Sequence, residues 1–476
     1  MRRGGVAITT AVLCCAALLQ PGPRGDTAAP ERPNVILILT DTLRPDYLGC
    51  YGFEGDVSPN LDALAGEAVR FTSVFSAAPW TKPAVASIFT SLDPRTHRVL
   101  DHEGKFWIKT GGDLKTTALP ESAVTLAEVL AAAGYRTGAW VANGWITKGL
   151  GFAQGFGEFH SAKLDTNVYD AAKIWEPAWS WIAKVKDGHR PFFVYLHLMD
   201  VHGPWRWSPE DYEAVRKSPS LPANLPDKLL AKHFKPLQSR DIDFPGFDTT
   251  IPSWRAVYAS RVRSLDRQMG RLFAKLRAAG LLDSTVILFT ADHGEQLGER
   301  SGWGHGSSLH QNQIHIPLII RPPGGIEEGR SVDGVASSLD IMPTILEAAG
   351  ITRAPKGMQG TSLWRTVVSG SPLPHPEWAF STGVRQDAGI ESVRSGRYEL
   401  IRYGSFDPPS YELYDLLVDP GESKNLVPRR PEVLSRLRDG LDRHGAELAR
   451  TPTLLKSSSP VSPEEIEKLK SLGYID

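Results

Sequence analysis

The sequence predicts an α/β fold, built on a mostly parallel sheet with helices on both faces and followed by a smaller α+β subdomain. Two observations predict it. Short, unbroken apolar runs alternate with helical patterns along the chain, and such runs are typical of strands buried on both faces. Polar residues suited to chemistry follow several of these runs, at the strand ends where open α/β sheets bind ligands. A chain of 476 residues can also bury a large core.

The charge composition excludes one class of partner. The chain carries 53 Lys and Arg residues against 54 Asp and Glu residues, for a formal net charge of -1. The basic residues are scattered rather than clustered, so no strong positive field would attract a polyanion. We therefore expect no nucleic-acid partner.

The N-terminus has the pattern of a targeting segment. Arg2 and Arg3 precede an apolar stretch over residues 6–19, and Pro21 with its neighbours breaks it. That length suits a signal-peptide core and is short for a membrane span, although an uncleaved anchor stays open. We predict a signal peptide over residues 1–29, export to the periplasm or medium, and no membrane span after its removal. Cys50 is then the only cysteine, so no internal disulfide can form.

The first strand is predicted over residues 35–39, an unbroken apolar run. Asp41 follows it, at the carboxyl end of a central strand. A carboxylate there either binds a metal or caps the next turn.

Thr81 is the candidate nucleophile. Pro83 suits the first turn of a helix that we expect to run to about residue 92, so Thr81 lies at a helix N-terminus. Backbone N–H groups and the helix dipole favour an anion there. The alternative is an ordinary helix cap.

The middle of the chain continues the α/β pattern. We predict a helix over residues 125–133 and strands over 136–141 and 192–198, the second of which leads to His202. His202 either contacts a bound anion or is a plain loop histidine. Residues 205–253, which are rich in Pro, Trp and charge, are predicted to form an irregular surface insertion near the mouth of the site.

A second motif follows a long helix, which we predict from residue 257 to about 279. The strand over residues 286–289 then delivers Asp292 and His293. Glycines flank His305, and such flanks let a backbone approach a ligand closely. His305 is therefore a candidate for substrate contact.

These residues define a candidate metal and ester site. Asp41, Asp292 and His293 are the predicted ligands of a divalent cation, and the imidazole favours Zn or Mn over Ca or Mg. A hydroxyl beside such a cation can become a nucleophile, which is the role we predict for Thr81. His202 and His305 would stabilise charge on the ester oxygens. A second cation, held partly by those two histidines, stays open.

Several linked motifs occur in order along the chain. They cover residues 34–41, 43–46, 49–52, 58–62, 81–84, 292–295, 339–346 and 412–416. Together they resemble the sulfatase family of the alkaline phosphatase superfamily. The resemblance implies an alkaline-phosphatase-like fold and a sulfatase-like hydrolase. We place its catalytic domain at 33–365, its C-terminal subdomain at 366–428 and a helical tail that packs back at 429–476.

The chain departs from the classical members of that family. They use a Cys or Ser that is oxidised to formylglycine, and Thr81 cannot supply that aldehyde, so no formylglycine is expected. Thr42 stands where the classical members have a second Asp, and Val85 stands where they have an Arg. Asn143 lies in the region where they have a Gly-Lys-Trp-His block, which this chain lacks. His293 replaces the usual Asn.

In its Thr at the nucleophile position, the chain resembles the phosphoethanolamine transferases and lipoteichoic acid synthases of the superfamily. The corresponding Thr becomes phosphorylated in those enzymes. We predict a metal-dependent hydrolase of sulfate or phosphate esters, acting on a small-molecule, glycan or lipid-headgroup ester. The alternatives are a phosphodiesterase or phosphoethanolamine-type transferase and a non-catalytic binder on a sulfatase scaffold. All three candidate ligands are present, which favours the enzyme over the binder.

Overall fold

A computed structural model defines the architecture of the chain, and its described residues from Pro33 onward form one compact unit. The described residues are 1, 32–100, 108–110, 113–162, 168–205, 208–223, 225, 247–374, 378–385, 388–404 and 408–471. The predicted signal peptide, much of the predicted insertion and the last five residues lie outside them.

The strands account for the alternating apolar runs. Within the described residues they are β1 (Asn34–Thr40), β2 (Val69–Phe75), β3 (Ile108–Thr110), β4 (Asp113–Ala118), β5 (Arg136–Val141), β6 (Glu158–Ser161), β7 (Phe192–Leu198), β8 (Thr285–Ala291), β9 (Gln296–Leu297), β10 (Trp303–Gly304), β11 (His315–Arg321), β12 (Arg330–Ser337), β13 (Trp378–Arg385), β14 (Ala388–Ser395), β15 (Tyr398–Tyr403), β16 (Ser410–Asp415) and β17 (Ser457–Pro460). The predicted strands therefore form within a residue or two of the expected bounds.

The helices fall mostly between these strands. Within the described residues they are α1 (Pro59–Ala65), α2 (Thr81–Thr90), α3 (Pro94–His97), α4 (Leu126–Ala132), α5 (Ala172–Val185), α6 (Pro209–Val215), α7 (Phe247–Ala278), α8 (Gln311–Ile314), α9 (Ile341–Ala348), α10 (Trp364–Ser369), α11 (Pro431–Arg450) and α12 (Pro463–Ser471). The helix α4 begins with a capping box between Thr125 and Glu128, which satisfies two backbone donors at its start.

Eight strands form the main sheet, in the order β12-β2-β11-β8-β1-β7-β5-β6. Every neighbouring pair is parallel except the two that involve β11, which runs antiparallel to both β2 and β8. The predicted mostly parallel sheet flanked by helices is confirmed, with one antiparallel strand added. The centre of the sheet is covered on both faces, since every residue of β7 and β8 is buried and most of these residues are apolar.

The C-terminal sheet is smaller and antiparallel, in the order β13-β14-β15-β16. Val393, Leu400 and Leu413 of its strands pack with Leu437 and Leu441 of α11 in one buried cluster. This confirms a smaller α+β subdomain. The helix α11 belongs to the predicted tail, yet it packs in the same core as the C-terminal sheet. The predicted boundary between subdomain and tail, after residue 428, stays a prediction.

Three local expectations differ from the structure. The helix predicted from residue 257 begins at Phe247 as α7, and the predicted insertion contains α6. The predicted tail contains the strand β17 as well as two helices, and β17 pairs with β4. No helix among the described residues is long and apolar enough to cross a membrane.

Candidate active site

The sheet order brings the candidate ligands together. Thr40, the last residue of β1, pairs with Ala291 of β8 on one side and with Leu198 of β7 on the other. Because these strands are parallel, the residues after them emerge at the same edge of the sheet. Asp41 and Asp292 therefore lie side by side, and both are fully buried.

Thr81 lies inside this cluster as the first residue of α2 and is 1 % exposed. Its Oγ1 is 3.5 Å from Asp41 Oδ2 and 3.3 Å from His293 Nε2. The strand β2 leads to the turn before α2, so the helix N-terminus points at the same edge of the sheet. The predicted helix start is confirmed, and the hydroxyl is close enough to share a cation with both ligands.

His293 presents a lone pair to the cluster. Its Nδ1 lies 2.9 Å from the carbonyl oxygen of Gly294, which can only accept, so the ring proton is on Nδ1. Burial lowers the pKa of His293 well below its ordinary value, and the ring is neutral. The bare Nε2 lies 3.5 Å from Asp41 Oδ1 and 3.5 Å from Asp292 Oδ2.

The two carboxylates complete a fit for a divalent cation. Asp41 Oδ1 and Asp292 Oδ2 are buried and accept no hydrogen bond from the described residues. Burial, and then the neighbouring Asp41 charge, raise the pKa of Asp292 well above its ordinary value. Two orphaned carboxylate oxygens and one imidazole lone pair facing one another repel unless a cation lies between them. The donor set therefore suits the predicted metal.

A short hairpin carries His305 back to the cluster. The strands β9 and β10 pair antiparallel, with Gly304 opposite Gln296. The His305 ring centroid then lies 4.5 Å from that of His293, and its Nδ1 lies 3.2 Å from the carboxylate of Glu295. Burial alone would lower the pKa of His305, but the Glu295 carboxylate outweighs it and the pKa is raised.

His202 closes the group from the end of β7. Its ring centroid is 5.2 Å from that of His305, and Thr42 Oγ1 donates to the backbone oxygen of Val201 beside it. Thr42 thus contacts the backbone of this loop, at a position where classical relatives place a second Asp. The structure brings together all six predicted site residues: Thr81, His202, His305, Asp41, Asp292 and His293. Their chemical roles stay predictions.

Two contacts of Asp41 escaped the sequence analysis. His197 Nε2 lies 3.2 Å and Asn143 Nδ2 2.5 Å from Asp41 Oδ2. Asp41, His197 and Asp292 also meet the spacing of a metal site, with ligand atoms within 4.8 Å of one another. The available signal was His197 itself, since it is the one histidine inside the apolar run of β7.

The comparisons with known proteins agree with the fold and with the class of hydrolase. The sulfatase family model matches residues 33–351, and the model of the C-terminal region of N-sulphoglucosamine sulphohydrolase matches residues 298–446. The chain belongs to the sulfatase family, which confirms the predicted resemblance and the class of hydrolase. Sulfatases of this family bind a divalent metal ion, in keeping with the cluster around Asp41.

Individual relatives are distant but cover most of the chain. Human arylsulfatase A is 28 % identical over 86 % of this chain and 87 % of its own length. A protein solved with its substrate D-glucosamine-2-N,6-O-disulfate matches with a TM-score of 0.71, 21 % identity and coverage of 88 % and 98 % of the two chains. The phosphonate monoester hydrolase of Agrobacterium radiobacter matches with a TM-score of 0.67 and 21 % identity, and the match covers 88 % of this chain and 95 % of that one. The two structural matches support the fold alone.

Proposed function

We propose that this chain is a metal-dependent ester hydrolase whose nucleophile is Thr81 and whose preferred substrates are phosphate or phosphonate esters. One observation carries the proposal. The Thr81 hydroxyl lies at a helix N-terminus, within 3.5 Å of both a carboxylate and an imidazole that suit a divalent cation. Asp41, Asp292 and His293 would hold that cation, with Zn or Mn favoured over Ca or Mg.

A bound cation would favour the alkoxide of Thr81 and neutralise charge on the ester oxygens. Thr81 Oγ, whose proton passes to solvent, forms a bond to phosphorus or sulfur as the bond to the alcohol oxygen breaks. His305, which Glu295 favours in its protonated form, donates a proton to the leaving alcohol. Water then attacks the Thr81 ester and gives a proton back to His305, while the Thr81 oxygen leaves and takes up a proton from solvent, so that the phosphate, phosphonate or sulfate is released. His202 and the first-turn N–H groups of α2 stabilise the spread charge.

The preference for phosphorus follows from the side chain at residue 81. A formylglycine hydrate expels sulfate by collapsing to an aldehyde, so it never has to hydrolyse a sulfated enzyme. Thr81 has no such exit, and its ester must be attacked at the phosphorus or sulfur atom itself. Phosphoryl groups undergo that second displacement when metal and oxyanion contacts stabilise the charge.

The second candidate is hydrolysis of a sulfate ester on a glycan. The neighbour solved with D-glucosamine-2-N,6-O-disulfate favours it, as does the family match. Transfer to an acceptor alcohol rather than water uses the same first step. Export remains part of the proposal, because Arg2, Arg3 and the apolar stretch over residues 6–19 have the pattern of a signal peptide.

A substrate panel separates these candidates. Purified protein is assayed with sulfate monoesters, phosphate monoesters, phosphate diesters and phosphonate esters, each with Zn, Mn, Mg and Ca. We expect a phosphorus ester to give the highest kcat/KM, with Zn or Mn. If an aryl or sugar sulfate is turned over fastest by the wild type and not by Thr81→Ala, the preference for phosphorus is wrong.

A further inference from the structure

Asp41 uses its two carboxylate oxygens differently. Oδ1 is the orphaned oxygen that faces His293, whereas Oδ2 receives Asn143 Nδ2 at 2.5 Å, His197 Nε2 at 3.2 Å and, more distantly, the Thr81 hydroxyl at 3.5 Å. A carboxylate free to rotate would present either oxygen to a cation. The contacts on Oδ2 fix which one is left bare.

The orientation of Asn143 is set by its own backbone surroundings. Its Oδ1 accepts from the backbone N–H of Trp145 at 2.7 Å. The amide oxygen is therefore turned toward Trp145, and the NH₂ group is turned toward Asp41. Asn143 is fully buried, so solvent does not compete for this contact.

The tautomer of His197 is set by its two partners together, Asp41 and Tyr195. The Tyr195 hydroxyl lies 2.8 Å from His197 Nδ1, two residues away on the same face of β7. If the hydroxyl donates to Nδ1, the ring proton is on Nε2 and donates to Asp41 Oδ2, so both contacts are hydrogen bonds. The other tautomer places a nitrogen lone pair against the carboxylate oxygen, which repels it.

The two imidazoles beside Asp41 thus carry their protons on opposite nitrogens. His293 donates from Nδ1 and leaves Nε2 bare within 3.5 Å of both orphaned oxygens. His197 donates from Nε2 to an oxygen that already accepts from Asn143. His197 lies close enough to Asp41 and Asp292 to be a metal ligand. Its Nε2, however, carries a proton and donates a hydrogen bond, so it has no lone pair for a cation.

We propose that His197 and Asn143 are positioning residues for the metal. They hold Asp41 Oδ2 by hydrogen bonds, so that Oδ1 faces the cation, and Tyr195 fixes His197 as the donor. This inference rests on the metal site of the proposed function. Mutating a residue that hydrogen-bonds to a metal ligand commonly weakens metal affinity by about 10–100-fold, because the ligand is then no longer held in the orientation that binds the cation.

The test measures the dissociation constants of Zn and Mn on the full chain, by competition with a coloured chelator. We expect His197→Leu and Tyr195→Phe to weaken binding by about 10–100-fold without loss of stoichiometry at saturating metal. His197→Gln, whose amide can donate from a similar place, is expected to stay within about threefold of the wild type. If His197→Leu does not fold, Tyr195→Phe, which removes one oxygen, still decides the matter.

Two matched variants control for the loss of a buried group. His97 is a fully buried histidine bonded to Ser87, and Tyr51 donates to the backbone oxygen of Phe71. His97→Leu and Tyr51→Phe are expected to leave the metal constants within about twofold of the wild type, since neither residue contacts a carboxylate of the site.

The outcomes separate this inference from the proposed function. If the wild type binds neither metal, the proposed function fails. If the wild type binds and both His197→Leu and Tyr195→Phe bind as tightly, only the positioning role fails. If His197→Leu loses a whole equivalent at saturating metal, His197 is a ligand and the inference is overturned.

Discussion

Thr81→Ala is expected to lower kcat/KM by about three orders of magnitude or more, because it removes the atom that forms the covalent ester. The change deletes a hydroxyl and a methyl group at the start of α2, where the hydroxyl contacts Asp41 and His293. Steady-state kinetics on the best ester of the panel measure the effect. Intact mass of the wild type should also show an unmodified Thr81.

Thr90→Ala is the matched control for that variant. Thr90 is buried in the same helix, but its Oγ1 donates to the backbone oxygen of Ala86 at 2.7 Å. It should keep wild-type kinetics, so a loss specific to Thr81→Ala reports on the site and not on the helix. If Thr81→Ala retained more than about a tenth of the activity, the nucleophile would be water or another residue.

The double variant Asp292→Ala with His293→Ala is expected to lose the bound metal and, with it, the activity. The wild type should retain about one or two equivalents of Zn or Mn after purification. Removing both groups leaves Asp41 as the only predicted ligand, which cannot hold the ion alone. Elemental analysis of the purified proteins measures the content.

The control for the metal variant is Asp266→Asn. Asp266 is another fully buried carboxylate, but it accepts from the backbone N–H groups of Asn60 and Leu61 at 3.0 and 2.8 Å. Its loss should leave the metal content unchanged. Full metal occupancy in the double variant would show that the ion binds elsewhere in the chain.

The sequence was enough to locate the ends of the central strands. An unbroken apolar run indicates a strand buried on both faces, and a polar residue directly after it must emerge at the sheet edge. That reasoning predicts that Asp41, Asp292 and His293 lie together, as they do. It could not give the direction of β11, because an apolar run reads the same in either direction.

Other features depend on contacts that no local pattern records. His197 lies inside an apolar strand, where the sequence pattern predicts an ordinary core residue. Only the pairing of His197 with Leu39 of β1 brings it to Asp41. Asn143 was noted as a departure from the family, and its role depends on the Trp145 backbone. The tail strand β17 is a run of serines ending in Pro460, without strand periodicity, so only its pairing with β4 defines it.

The central claim is that the ester group passes through Thr81, and the stereochemical course of the reaction tests it most directly. The substrate is the fastest phosphorus ester of the panel, made chiral at phosphorus with oxygen isotopes and hydrolysed in isotopically labelled water; for a phosphate monoester, one oxygen is also replaced by sulfur so that the product is chiral. Each in-line displacement inverts that atom, and a covalent intermediate divides the reaction into two displacements. The account predicts net retention of configuration; net inversion would mean that water attacks the ester directly, and would contradict it.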